Sequence, residues 1–294
     1  MTHVTGQDCL LCYDAIEEDL RFRKLLRIMT PLRLLHFTDL HLSADEDARL
    51  RGIQPLATLR RTLAQAIACT QESGWPPDAI LVTGDIVHDD PRGYEVFRRE
   101  FANLGVPVGC IPGNHDDASV MSRMLAHSPF ITSGCLDLRG WRVVLLDSSV
   151  AGQDGGHLAP AQLQLLRSAL ASATTPVLVC LHHHPVAMSS DWLDQIGLDN
   201  AADFFRIIDA YQSVRAVLWG HVHQQFDGLR RGVRLLATPS TCAQFLPFSH
   251  DFAIDGRPPA FRTLELKLDG SLFTNLHWVD SCDSGSSHSA YSAA

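Results

Sequence analysis

Through its central part the chain alternates short apolar runs of strand length with segments of helical periodicity. Strands are expected at Leu32–Phe37, Ala79–Val82, Val106–Ile111, Val143–Leu146, Val177–Leu181 and Ala216–Leu218. Helices are expected near 55–72, 94–104, 160–171 and 200–210. Such alternation predicts α/β layering. Two stretches break a purely parallel scheme. Leu136–Leu138 and Trp141–Leu146 flank Arg139-Gly140 as a hairpin would, and the chain after His223 is strand-rich, with turn signals at Asp227-Gly228 and Asp269-Gly270. The expectation is two mixed sheets packed face to face with helices outside. No internal repeat is apparent.

Patterning begins at Leu32, so residues 1–31 read as an extension, with at best a short amphipathic helix over 14–28 and an alternative start at Met29. One domain over 32–280 follows. The Ser- and Ala-rich segment 281–294 reads as a disordered tail.

Composition narrows the partners. The 294 residues are 46% hydrophobic and 19% charged, an ordinary globular balance with material for a large core. A net charge of −9 offers no basic field to a polyanion, which argues against a nucleic-acid partner. An anionic substrate therefore needs local positive charge, which bound metal can supply. Eight cysteines form no disulfide framework, and Cys69, Cys110, Cys180 and Cys242 sit in or beside apolar runs. Reduced thiols are the simpler reading, and Cys9 and Cys12 make a lone C-x-x-C, too little for structural zinc. No secretory leader or membrane span is visible, so cytoplasmic residence is expected.

The chemistry collects where predicted strands end. In order these ends carry Asp39-Leu40-His41, Gly84-Asp85, Gly113-Asn114-His115-Asp116, His182-His183-His184-Pro185 and Gly220-His221-Val222-His223. Ligands in open α/β sheets gather at strand carboxyl ends. Carboxylate, amide oxygen and imidazole without thiolate suit iron, manganese or zinc. Five strand ends can serve two ions only if one carboxylate is shared, and Asp85 is the natural bridge. Gly84, Gly113 and Gly220 precede ligands at turns that need a missing Cβ. No glycine-rich phosphate loop of the G-x-x-x-x-G-K-[ST] or G-x-G-x-x-G kind appears.

D-x-H, G-D, G-N-H-[DE], H-x-x-P and G-H-x-H in this order resemble the calcineurin-like metallophosphoesterase superfamily, whose fold is a β-sandwich flanked by helices. Further stretches, Ser190–Asp194, Leu235–Cys242, Gln244-Phe245 and Arg262–Leu266, extend the similarity to bacterial class III cyclic-AMP phosphodiesterases over about 32–280. The resemblance implies one ion on Asp39, His41, Asp85 and His223, and another on Asp85, Asn114, His182 and His221. Within His182-His183-His184 the first after the strand is favoured. It implies iron or manganese, with zinc possible, as two divalent or mixed-valence ions. The substrate, a cyclic nucleotide, would meet His41, Asp85, Asn114, His115, His182 and His223. A metal-bound hydroxide would attack phosphorus, giving 5′-AMP from cyclic AMP. His115 is the expected acid for the leaving oxygen, with Asp116 orienting it. The 192–194 and 244–248 segments could wall a base pocket. The alternatives are a glycerophosphodiesterase or broad phosphodiesterase and, from another class, a non-catalytic cyclic-nucleotide sensor.

Overall fold

The computed structural model describes residues 30–72 and 74–279. The predicted helix at 14–28, Met29, the Cys9/Cys12 pair and the 281–294 tail lie outside the described residues.

Two six-stranded sheets stack face to face. The first has the order β14 (Leu272–Trp278), β13 (Ala260–Leu266), β1 (Leu32–Phe37), β2 (Ala79–Thr83), β3 (Val108–Ile111), β4 (Phe130–Ile131). In the second the order is β5 (Gly134–Leu138), β6 (Trp141–Leu145), β7 (Val177–Cys180), β8 (Val214–Trp219), β10 (Val233–Ala237), β9 (Phe226–Arg230). A two-stranded ribbon, β11 (Gln244–Phe245) with β12 (Ile254–Asp255), lies outside both. Helices α1 (Pro55–Glu72), α2 (Gly93–Phe101), α3 (Ala118–Met124), α4 (Pro160–Ala171), α5 (Asp191–Asp194) and α6 (Ala201–Ile208) connect them. Strands β1 to β4 run parallel, as do β6, β7, β8 and β10, while β13 and β14 pair antiparallel at one edge. The expected two mixed sheets flanked by helices are therefore observed. Among the described residues no helix is long and apolar enough to cross a membrane.

The period of two along β1 explains the layers. Leu32 and Leu34 face the opposite sheet with Leu81, Leu178 and Leu218, whereas Leu35 and Phe37 face outward against Leu59 and Phe97 of the helices. Strands buried on both faces read as continuous apolar runs, which is why these were legible.

The Arg139-Gly140 hairpin turn is present, with both residues at positive φ. Asp227-Gly228 is not a turn. It lies inside β9, and the reversal falls at Arg231-Gly232. Gly228 instead leaves room for the Phe226 ring, which a Cβ there would meet at 2.8 Å.

Near the carboxyl ends of the strands the inter-sheet core turns polar. The buried His36 places Nδ1 2.7 Å from Thr238 Oγ1 and Nε2 2.8 Å from Thr83 Oγ1, and Arg262 donates to Thr238 Oγ1 and the Ala237 carbonyl. Burial and the Arg262 charge hold the His36 pKa well below its ordinary value. This layer lies directly beneath the metal-ligand motifs.

Candidate metal centre

Parallel pairing of β1 and β2 continues past the strands. Asp39 N donates to Gly84 O at 3.0 Å, His41 N to Asp85 O at 2.8 Å and Leu42 N to Ile86 O at 2.9 Å. The first two motifs are thereby locked side by side. Asp39, His41, Asp85, His221 and His223 all have φ between 47° and 66°. Asp and His tolerate this left-handed region better than most residues, yet five such positions together need a surrounding structure that holds them. That support is visible: Ser240 Oγ donates to Asp39 O at 2.6 Å, and His221 N donates to both Asp39 carboxylate oxygens at 3.0 and 3.1 Å.

The glycines work mainly by close approach. Only Gly84 takes a positive φ, +94°; Gly113 and Gly220 do not. A Cβ on Gly113 would lie 2.2 Å from Asp85 Oδ1, and one on Gly220 1.9 Å from Thr38 Oγ1.

All seven residues named as ligands from the sequence converge on one place. Asp39, His41, Asp85 and His223 are buried, and one ligand atom of each falls within 4.8 Å of the others. His41 Nε2 lies 3.1 Å from His223 Nε2, and His223 Nε2 3.3 Å from Asp39 Oδ1. Beside them Asn114 Oδ1 is 3.2 Å from His182 Nε2 and 3.0 Å from His221 Nδ1. Asp85 stands between the sets, with Oδ2 3.8 Å from His41 Nε2 and Oδ1 3.5 Å from His182 Nε2.

Protons are already committed elsewhere. His223 Nδ1 donates to the Ala243 carbonyl at 2.6 Å and His182 Nδ1 to the Thr83 carbonyl at 2.7 Å. Their Nε2 atoms therefore turn lone pairs inward, and in His182 that lone pair faces an amide oxygen. Two facing acceptors need a proton or a metal ion between them. The electrostatics carry the same message. Burial opposes a charge on His182, but Asp85 overrides it and pushes its pKa up to about 9. Burial tends to raise the Asp85 pKa, yet His182 and His41 hold it well below the carboxylate range. Burial keeps His41 and His221 neutral, the ligand form of imidazole. Separations of 3.0–3.5 Å match the edges of coordination polyhedra with bonds of about 2.1 Å. The donor set thus fits metal ions.

The three consecutive histidines separate by partner. His183 has a nitrogen within 4.8 Å of those of His182 and His221, but its Nδ1 is 2.9 Å from Ser148 Oγ and its Nε2 3.2 Å from the Asp154 carbonyl. His184 Nε2 points towards Asp194 Oδ1 at 3.8 Å, and burial pulls its pKa down to about 4.

His115 is part-exposed at the rim, its ring centroid 5.2 Å from that of His41. Its backbone N–H donates to Asp85 Oδ1 at 3.0 Å, and its Nδ1 sits 3.1 Å from Asp89 Oδ1. Asp116 does not take the orienting role expected of it. Its carboxylate accepts from Gly113 N, Ile86 N, Val87 N and Tyr94 Oη, tying the second motif to the third. Burial, with Asp85 nearby, pushes its pKa up to about 6. His88 went unnoticed in the sequence: its Nδ1 is 3.2 Å from His41 Nδ1, and its ring lies 4.4 Å from that of His115. Its place three residues after Asp85, on the same loop, was the only available signal.

Comparison with known proteins agrees with this construction. The chain is 43% identical over 249 residues to the 3′,5′-cyclic adenosine monophosphate phosphodiesterase CpdA of Pseudomonas aeruginosa, covering 84% of this chain and 90% of that one. It is 37% identical to the Vibrio vulnificus CpdA, covering 83% and 89%. A dimetal phosphatase from Danio rerio shares the fold with a TM-score of 0.59 at 14% identity, over 85% of this chain and all of that one. The family model for calcineurin-like phosphoesterases matches residues 32–225, the span from the first strand of the sandwich past the last of the five motifs, and the chain belongs to that family.

Proposed function

We propose that this chain hydrolyses 3′,5′-cyclic AMP to 5′-AMP at two metal ions, one held by Asp39, His41, Asp85 and His223 and the other by Asp85, Asn114, His182 and His221. The observation that carries the reading is the placement of Asp85, whose two oxygens address separate donor sets 3.8 and 3.5 Å away. Cyclic AMP is favoured because the relatives that align over most of the chain are named for that activity. When bound, such ions supply Lewis acidity to the phosphate oxygens and make water more acidic.

The protein's own groups carry the rest. Asp85, fixed by the His115 N–H, holds the two sets in register. Opening the cyclic diester adds a water oxygen to phosphorus and breaks its bond to the ribose 3′ oxygen, which must leave with a proton. His115 delivers it in this reading, which the contact of its Nδ1 with Asp89 supports by leaving Nε2 for the departing oxygen. Iron or manganese suits the mixed nitrogen and oxygen donors, and zinc is compatible. Cytoplasmic residence belongs to the same proposal, since Cys110, Cys135, Cys180 and Cys242, thiols without a disulfide among the described residues, suit a reducing compartment.

The test compares kcat/KM for cyclic AMP, cyclic GMP, glycerophosphoethanolamine and p-nitrophenyl phosphate on stripped protein reloaded with iron, manganese or zinc. Cyclic AMP should rank first, with 5′-AMP as product. A glycerophosphodiester in that place would replace the substrate, and binding of cyclic AMP without turnover under any metal would support a sensor.

A further inference from the structure

The metal centre has two unlike flanks. Beyond Asn114 and His115 opens a cleft bordered by Asp89, Asp117 and Asp147, acidic and lined by no phenylalanine, tyrosine or tryptophan. Beyond His223 the surface is aromatic. The Phe245 ring stacks flat on the His223 imidazole, centroids 3.9 Å apart and planes 5° from parallel. Trp192 and Phe252 each meet Phe245 edge to face, at 5.3 and 5.2 Å, and each other at 5.1 Å. Phe252 remains 40% exposed and the nearby Phe248 80% exposed.

A cation completes this flank. Arg51 lays its guanidinium 4.2 Å over the Phe252 ring and, among the described residues, has no carboxylate partner. Arg51 holds this place over the aromatic cluster at positive φ.

We infer that the aromatic cluster of Trp192, Phe245 and Phe252, edged by Arg51, binds the nucleobase of the substrate and makes Arg51 and Phe252 base-binding residues. The inference rests on the cyclic-nucleotide reading of the site. With phosphate at the metal centre, the base must lie on one flank. A neutral planar ring gains from stacking on aromatic and guanidinium planes, and base–aromatic stacking is sequence-tolerant and strong enough to matter to affinity. The acidic flank offers no such surface and repels the phosphate. Arg51 also places positive charge beside an anionic substrate in a chain of net charge −9.

The experiment measures competitive inhibition by 5′-AMP and by ribose 5-phosphate, with methyl p-nitrophenyl phosphate as reporter, for the wild type, Phe252→Ala, Phe252→Tyr and Arg51→Ala. Both positions are solvent-exposed, so the variants should fold. The wild type should bind 5′-AMP more tightly than ribose 5-phosphate. Phe252→Ala should shrink that preference about tenfold, Arg51→Ala should shrink it several-fold, and Phe252→Tyr should restore it. The KM for cyclic AMP should rise in step while kcat holds. Equal inhibition by the two phosphates in a wild type that hydrolyses cyclic AMP overturns the base site and leaves the function standing. Failure to hydrolyse cyclic AMP while the reporter is turned over overturns the function itself. Dissociation of a dimer by Phe252→Ala with the preference unchanged would show the patch to be a self-association surface, against the inference.

Discussion

Replacing Gly113 by alanine tests how tightly the centre is built. The new methyl would lie 2.2 Å from Asp85 Oδ1, 2.5 Å from Asp85 N and 2.7 Å from His182 Cε1. Real Cβ contacts essentially never fall under 3.0 Å, so the Asp85 oxygen must move by at least the 0.8 Å between 2.2 and 3.0 Å, or the β3 loop must yield. Neither is a flexible chain end. Asp85 is held by the His115 N–H and by its own carbonyl, which accepts from His41 N. Misplacing reacting groups by about 1 Å costs on the order of 100-fold in rate. Overpacking a rigid site costs about 1–3 kcal/mol of stability, or roughly 2–10 °C in a domain of this size. Gly256→Ala is the control, because nothing lies within 4 Å of its Cβ. Metal content by mass spectrometry, kcat/KM for cyclic AMP and thermal melting are read together. Gly113→Ala should lose bound metal and about two orders of magnitude in kcat/KM, with Gly256→Ala unchanged. Full metal content and activity within twofold of wild type in Gly113→Ala would refute the reasoning.

Two further outcomes follow from other residues. His115→Ala should retain both ions while kcat falls about 100- to 10,000-fold, the range of a lost general acid; an unchanged kcat would remove His115 from the chemistry. His36 is buried with its pKa well below the ordinary 6.5, so the unfolded chain binds the extra proton as pH drops. Its stabilising effect is present above pH 6.5 and is lost as pH falls below it, at up to about 1.36 kcal/mol per pH unit. On metal-loaded protein, His36→Gln should therefore flatten the decline of stability between pH 6.5 and 5; an identical slope would contradict the assignment.

Much of this was legible because the site is built at strand ends. A strand buried on both faces announces itself as an apolar run, and the first polar residues after it mark where the chain leaves the core. Leu32–Phe37 leading into Asp39 and Val177–Cys180 leading into His182 are plain in these terms. What escaped depends on spatial neighbours that no local pattern encodes. His88 matters only because the loop after β2 runs beside that after β1. Asp116 looks like a partner for the adjacent His115, yet the turn at Gly113 aims its carboxylate back at backbone donors. His36 sits in an apolar run and becomes interpretable only when Thr83, Thr238 and Arg262 arrive from other strands. The false turn at Asp227-Gly228 was a glycine serving its neighbour's ring. Helix α3 was missed because seven residues, started by Asp117 accepting from Ser119 N and Val120 N, carry too little periodicity.

The most direct test of a two-ion centre joined by Asp85 is a titration of manganese into the chelator-stripped chain while cyclic AMP turnover is followed. Activity should rise to a plateau at two equivalents per chain and yield 5′-AMP. A plateau at one equivalent, or turnover that survives complete stripping, would contradict the account.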